Sequence, residues 1–128
     1  MPSPQSPGYL LNPNSAAVLL SSQSALVADT AAVVTLTALP GVRHQPLFIS
    51  VGWNVTATVA AGGPSLTVAW TQAGAAKTFV YYVGLAAGSQ QINLPHGLVG
   101  DVNTEMSFTL SAANNGAIGS VFVLYGGT

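Results

Sequence analysis

The chain has 128 residues, enough for one domain that buries roughly two-thirds of its unfolded surface. Only 4% of the residues are charged and the net charge is −1, against about 25% charged residues in ordinary soluble domains. Arg43 and Lys77 are the only Lys or Arg and cannot form the basic stripe that neutralises phosphates, which argues against a nucleic-acid partner. The absence of cysteine excludes disulfides, thiolate metal sites and cysteine nucleophiles.

Residues 1–15 read as an extended arm. Pro2, Pro4, Pro7 and Pro13 remove backbone donors and forbid a helix. Tyr9, Leu10 and Leu11 are large and apolar, which a purely flexible tail does not need. They are the candidate contacts to a neighbouring subunit or a larger platform. The alternative is a disordered terminus. The first eight residues carry no Lys or Arg and no apolar run, so no secretory leader is expected.

The remainder, residues 16–128, reads as one β-domain. Weaker strands are expected at 16–20, 25–28 and 32–39, with Ala-rich 16–32 able to hold at most a helical turn. Residues 47–59 alternate with period two: Leu47, Ile49, Val51, Trp53, Val55 and Val59 on one face, Ser50, Gly52, Asn54, Thr56 and Thr58 on the other. That is the mark of a half-buried strand. Residues 65–71 and 104–111 repeat the pattern, and 90–94 reads as a short strand. Residues 78–83 and 117–125 are apolar on both faces, which predicts cover on both sides, the second cover being another subunit. Both tryptophans, Trp53 and Trp70, fall on the apolar faces and are expected in the core, which leaves Tyr82 as the better exposed ring.

Gly- and Pro-rich turns punctuate these runs, and Asn115-Gly116 suits a tight hairpin between the last two strands. About eight short strands without a convincing helix predict an all-β fold. It is an antiparallel two-sheet sandwich, jelly-roll-like, preceded by the N-terminal arm.

Chemistry has few carriers here. His96, Asp101 and Glu105 lie close in sequence and could form a weak cation site, but a solvated turn entering a strand is the expected reading. Calcium requires a denser set of carboxylates. Arg43 and His44 sit in a loop and are candidates for recognising an acidic partner. No Gly-x-Ser-x-Gly elbow, phosphate loop or dinucleotide fingerprint occurs. Asn54-Val55-Thr56 matches the glycosylation pattern. The expectation is a non-enzyme with no catalytic residue, cofactor or metal. The apolar runs fall short of the ~20 residues of a membrane-spanning helix, so no membrane partner is expected. With so little charge repulsion, much of the surface is expected to be covered by partners. The alternative is a monomer kept soluble by Ser, Thr, Asn, Gln and Gly.

The segment Leu98–Ala113 with its continuation Asn114-Asn115-Gly116-Ala117 resembles the last hairpin of small β-sandwich proteins on tailed-bacteriophage virions, and the closing Val121–Thr128 is similar to the way such chains end. That group includes capsid decoration (cement) proteins and head or tail fibre domains. The resemblance covers roughly residues 40–128 and is one of style, without a diagnostic motif. It implies a jelly-roll-like domain, a homo-oligomer (a trimer is favoured), no cofactor and attachment to a capsid or other virion protein. The expected role is lattice stabilisation at the capsid surface. The alternative is a receptor- or glycan-binding domain of a tail or fibre, with Arg43, His44 and Tyr82 as its candidate recognition residues. A small hydrolase on a β-scaffold is a third class, poorly served for want of a base.

Overall fold

The computed structural model describes residues 20–54, 65–83, 88–94, 98–112 and 117–127. The expected arm, residues 1–15, lies outside them, as do residues 16–19, Val55, Val59, His96, Asn115 and Gly116. The described residues form eight strands and no helix: β1 Leu20–Gln23, β2 Ala32–Leu36, β3 His44–Asn54, β4 Ser65–Gln72, β5 Ala75–Tyr82, β6 Gly88–Asn93, β7 Met106–Leu110 and β8 Ile118–Gly127.

The strands form two four-stranded antiparallel sheets, ordered β1-β8-β3-β6 and β2-β7-β4-β5. Strand β1 pairs with β8, β2 with β7, β3 with β6 and β4 with β5. The chain is therefore one long hairpin rolled up on itself, with the β3–β8 and β4–β7 pairs stitching the roll into two sheets. This is the jelly roll.

The pairing explains why the sequence reads as it does. Antiparallel partners share a face. Ile49 is level with Val123 and Ile92, Val51 with Val121, Leu66 with Leu110, and Val68 with Phe108. These residues point inward and are almost wholly buried. Met106, Val83, Val34, Leu36, Trp53 and Leu98 also belong to the core, with Trp70, Phe79, Leu94 and Tyr125 packed at its margin. Each fully buried aliphatic or aromatic side chain stabilises the fold by roughly 1.5–3 kcal/mol. That burial holds the two sheets together.

Four expectations need correction. First, the last two strands do not form a hairpin: β7 and β8 lie in opposite sheets. Among the described residues the one strand-to-strand hairpin is β4–β5, whose two-residue turn, Ala73-Gly74, has φ of 53° and 75°. Positive φ at both positions matches the right-handed twist of the flanking strands. Second, Leu47 leaves the face of Ile49, Val51 and Trp53. The β3–β8 register shifts between Pro46 and Phe48, and such a bulge moves the intervening residue off the pleat. Leu47 is 41% exposed, while His44 before the bulge points inward. Third, residues 25–28 are not a strand. Only Ala28 bridges, to Ile118, because this segment carries the chain from one sheet to the other. Fourth, the strand expected over residues 32–39 ends at Leu36; β5, apolar on both faces, stands at an edge of its sheet.

Hydrogen bonds tie the sheets together at one end. The segment before β7 donates from Gly100 N–H to His44 O (2.9 Å) in the first sheet and from Asp101 N–H to Thr71 O (2.8 Å) in the second. Asn103 N–H donates to Val42 O, and Gly41 N–H donates to Asn103 Oδ1 at 2.7 Å. The segments before β3 and before β7 thus brace each other.

Phe108 is fully buried at the centre of β7. Phe108→Ala is expected to cost about 3–5 kcal/mol in chemical denaturation, because the cavity lies between two sheets that cannot collapse independently.

Candidate functional site

Arg43 is exposed and immediately precedes β3. His44 is not the surface residue expected from a loop. It begins β3, is 3% exposed, and its Nε2 lies 2.8 Å from Thr37 O. Its ring meets that of Tyr125 edge-on at 5.9 Å. His44 therefore braces the chain from inside, and its Nδ1 is buried without a hydrogen-bond partner. Tyr82 is 78% exposed at the end of β5, as the sequence expected of its ring. Tyr9, Leu10 and Leu11 lie outside the described residues.

Of the three residues considered for a weak cation site, His96 lies outside the described residues. Asp101 is engaged elsewhere. Its Oδ1 accepts from Ala73 N–H (2.9 Å) and its Oδ2 from Gly74 N–H (2.8 Å). The carboxylate thus closes over the β4–β5 turn. The Gly74 and Ala73 amides hold its pKa below the ordinary 3.8, with a smaller contribution from the positive charge of Arg43. Glu105 is exposed. Among the described residues, no three His, Asp or Glu side chains converge on one point.

Two concave regions stand out among the described residues. A groove of about 360 Å³ lies at the end of the first sheet, with Gly52 and Gly88 among its lining and Leu26, Asn54, Ser89 and Ile118 around it. Gly52 is required there: a Cβ at this position would stand 2.6 Å from Gly88 O. Trp53 also borders the groove, but it is 5% exposed and its Nε1 is buried without a partner. A shallower depression of about 220 Å³ lies between Trp70, Thr71, Lys77 and Glu105. Trp70 is half-buried and spends its Nε1–H on Gln72 Oε1 at 2.9 Å. The second depression gathers Lys77 and Glu105 with the hydroxyl residues Thr71, Thr78 and Ser107, and neither lining includes a histidine.

The flat surfaces are more distinctive than the hollows. Across the second sheet's outer face, cross-strand neighbours form the rows Val33, Thr109, Thr67, Val80 and Thr35, Ser107, Ala69, Thr78. Neither row carries a charge. On the first sheet's outer face, Phe48 and Phe122 meet edge-on at 6.4 Å beside Leu124, all half-buried. Strand β5 adds exposed Val80 (41%) and Tyr81 (37%) to Tyr82. The sequence carried this signal in the run Phe79-Val80-Tyr81-Tyr82, which is apolar on both faces. It did not show that the run lies at an edge, because edge position is a property of topology. Comparison with protein-family models, with curated proteins and with solved structures found no match.

Asp101→Asn removes the ionised acceptor over the turn. A depressed carboxylate pKa stabilises the fold above the unfolded value, and that stabilisation is lost as pH falls through the folded value. The stability gap between wild type and Asp101→Asn is therefore expected to stay constant at neutral pH and to close below about pH 4. Denaturation midpoints across that range check it, and a gap that persists in acid would disprove the assignment.

Proposed function

We propose that this chain is a non-enzymatic structural protein of a virion, a capsid decoration protein that stabilises the capsid lattice. One observation carries the reading: a jelly roll presents uncharged outer rows on its second sheet and an apolar edge strand. Jelly rolls serve in viral capsids, and also in lectins and cupins. Fold alone therefore does not choose among them, and the surface must. A lattice component works by covering area, and an uncharged sheet face can be covered without stripping water from ions.

The receptor- or glycan-binding alternative calls for a ring at a polar groove. Trp53 is buried at its groove and Trp70 is half-buried. The most exposed ring, Tyr82, stands on a strand edge. These placements favour the lattice reading.

In this reading the segment 1–15 supplies reach, and Tyr9, Leu10 and Leu11 dock on a neighbour. Docking each gains roughly 1.5–3 kcal/mol, against about 1–2 kcal/mol per ordered backbone residue, so one arm contributes little. Several arms on one oligomer add through effective concentration. Deleting residues 1–15 is expected to leave the melting temperature nearly unchanged, because the eight described strands begin at Leu20. The same deletion is expected to weaken co-sedimentation with virus particles. Undiminished particle binding by the truncated protein would remove the arm from the mechanism. No binding by the full-length protein to any particle would overturn the capsid reading itself.

A further inference from the structure

We infer that β5 is a self-complementary edge that pairs antiparallel with β5 of a second copy, joining two subunits across a two-fold axis. The inference rests on the backbone of β5 and is independent of the virion reading.

Among the described residues the sandwich has four edge strands, β1, β6, β2 and β5. Strand β1 has four residues and β2 has five. Strand β6 has six and is mostly polar: Gly88, Ser89, Gln90, Gln91, Ile92 and Asn93. Strand β5 has eight residues, pairs with β4 without a register shift and contains no proline. Exposed edges are ordinarily blunted by shortness, proline, bulges or several charges. Strand β5 has one lysine, Lys77, and is otherwise unprotected.

The hydrogen bonds around β4 fix which groups of β5 are free. Ser111 N–H donates to Ser65 O and Asp101 N–H to Thr71 O, so the odd-numbered residues of β4 face away from β5. The even-numbered ones face β5, where Leu66, Val68, Trp70 and Gln72 stand opposite Tyr81, Phe79, Lys77 and Ala75. Since antiparallel bonding alternates along a strand, Ala76, Thr78, Val80 and Tyr82 turn their N–H and C=O groups outward.

A second copy fits that row. A two-fold axis perpendicular to the sheet keeps the inner faces of both copies on one side, so opposed residues must share parity. Centring on Phe79 sets Thr78 against Val80 and Ala76 against Tyr82, each pair occurring twice by symmetry. All four outward-facing residues then bond to one another. On the other face Lys77 lies against Tyr81 of the second copy, where its ammonium can meet the ring. The two Lys77 side chains lie four residues apart along the ladder, about 13 Å at ~3.3 Å per residue. That exceeds the ~8 Å screening length of physiological salt, so the edge's one charge does not oppose the pairing. The two second sheets become one continuous eight-stranded sheet.

The test is sedimentation equilibrium of the full chain at micromolar concentration, with Val80→Lys and Val33→Lys. Val80 and Val33 both lie on the second sheet's outer face and are similarly exposed, at 41% and 47%, but on opposite edges. Wild type is expected to self-associate. Val80→Lys is expected to weaken association by roughly tenfold or more, while Val33→Lys leaves it unchanged and both variants keep the wild-type melting temperature. A wild type that remains monomeric overturns the inference, as does a Val80→Lys variant that associates normally. Equal weakening by both variants would also overturn it, because contact would then run through the sheet face and not the edge. Should Val80→Lys melt early, Thr78→Lys on the same edge replaces it, with the same outcomes expected.

Discussion

Everything in this molecule depends on keeping two inward-facing rows in register across a rolled hairpin. Apart from β4–β5, each connection between successive strands crosses from one sheet to the other. A one-residue slip in any pair would turn a whole row of apolar side chains to solvent. The core answers this with side chains of defined shape, Phe108, Ile49, Leu66 and Met106 among them, buried almost completely. Packing of this kind provides the cohesion that a chain with 4% charged residues cannot obtain from ion pairs.

The same scarcity of charge shapes the ends. One end of the sandwich is closed by directed hydrogen bonds: Asp101 over the Ala73-Gly74 turn, Asn103 to Gly41, and Gly100 to His44. Each bond contributes modestly on its own, about 0.5–1.5 kcal/mol. Their effect is geometric, because together they fix the segments before β3 and before β7 against both sheets. His44 belongs to this system. A residue whose type invites a surface role is instead committed to Thr37 and Tyr125.

Much of the fold was legible in the sequence because period-two alternation is a local property. The runs around Ile49, Leu66 and Phe108 announced both strand and buried face. What escaped depended on partners far along the chain. Leu47 fits the alternation of its neighbours perfectly well on paper, and only the register shift against β8 displaces it. Asn115-Gly116 has hairpin chemistry, yet β7 and β8 are claimed by different sheets. Asp101 looked like part of a solvated turn or a cation site. Its true partners are amides 27 and 28 residues earlier in sequence, a spacing that no local pattern encodes. For the candidate surface, the sequence exposed the apolar character of Phe79–Tyr82 but not its position at the rim.

That position changes what the apolar run means. Were β5 central, the backbone groups of Ala76, Thr78, Val80 and Tyr82 would be bonded to a neighbouring strand and only the outer-face side chains would meet solvent. At an edge, the same side chains flank a row of unspent backbone groups, and the cost of leaving them uncovered falls on the isolated chain. Proteins that remain monomeric usually protect such rims with charge or proline. Here the other charges lie off the strand: Asp101 is held over the β4–β5 turn, Glu105 precedes β7 and shares a depression with Lys77, Asp29 lies before β2, and Arg43 precedes β3. Only Lys77 reaches the rim, near its turn end, away from Tyr81 and Tyr82. A sequence under pressure to stay alone has an inexpensive remedy in one further lysine at Thr78 or Val80, both exposed. The chain keeps neutral residues at both, as the proposed pairing of β5 with a second copy requires.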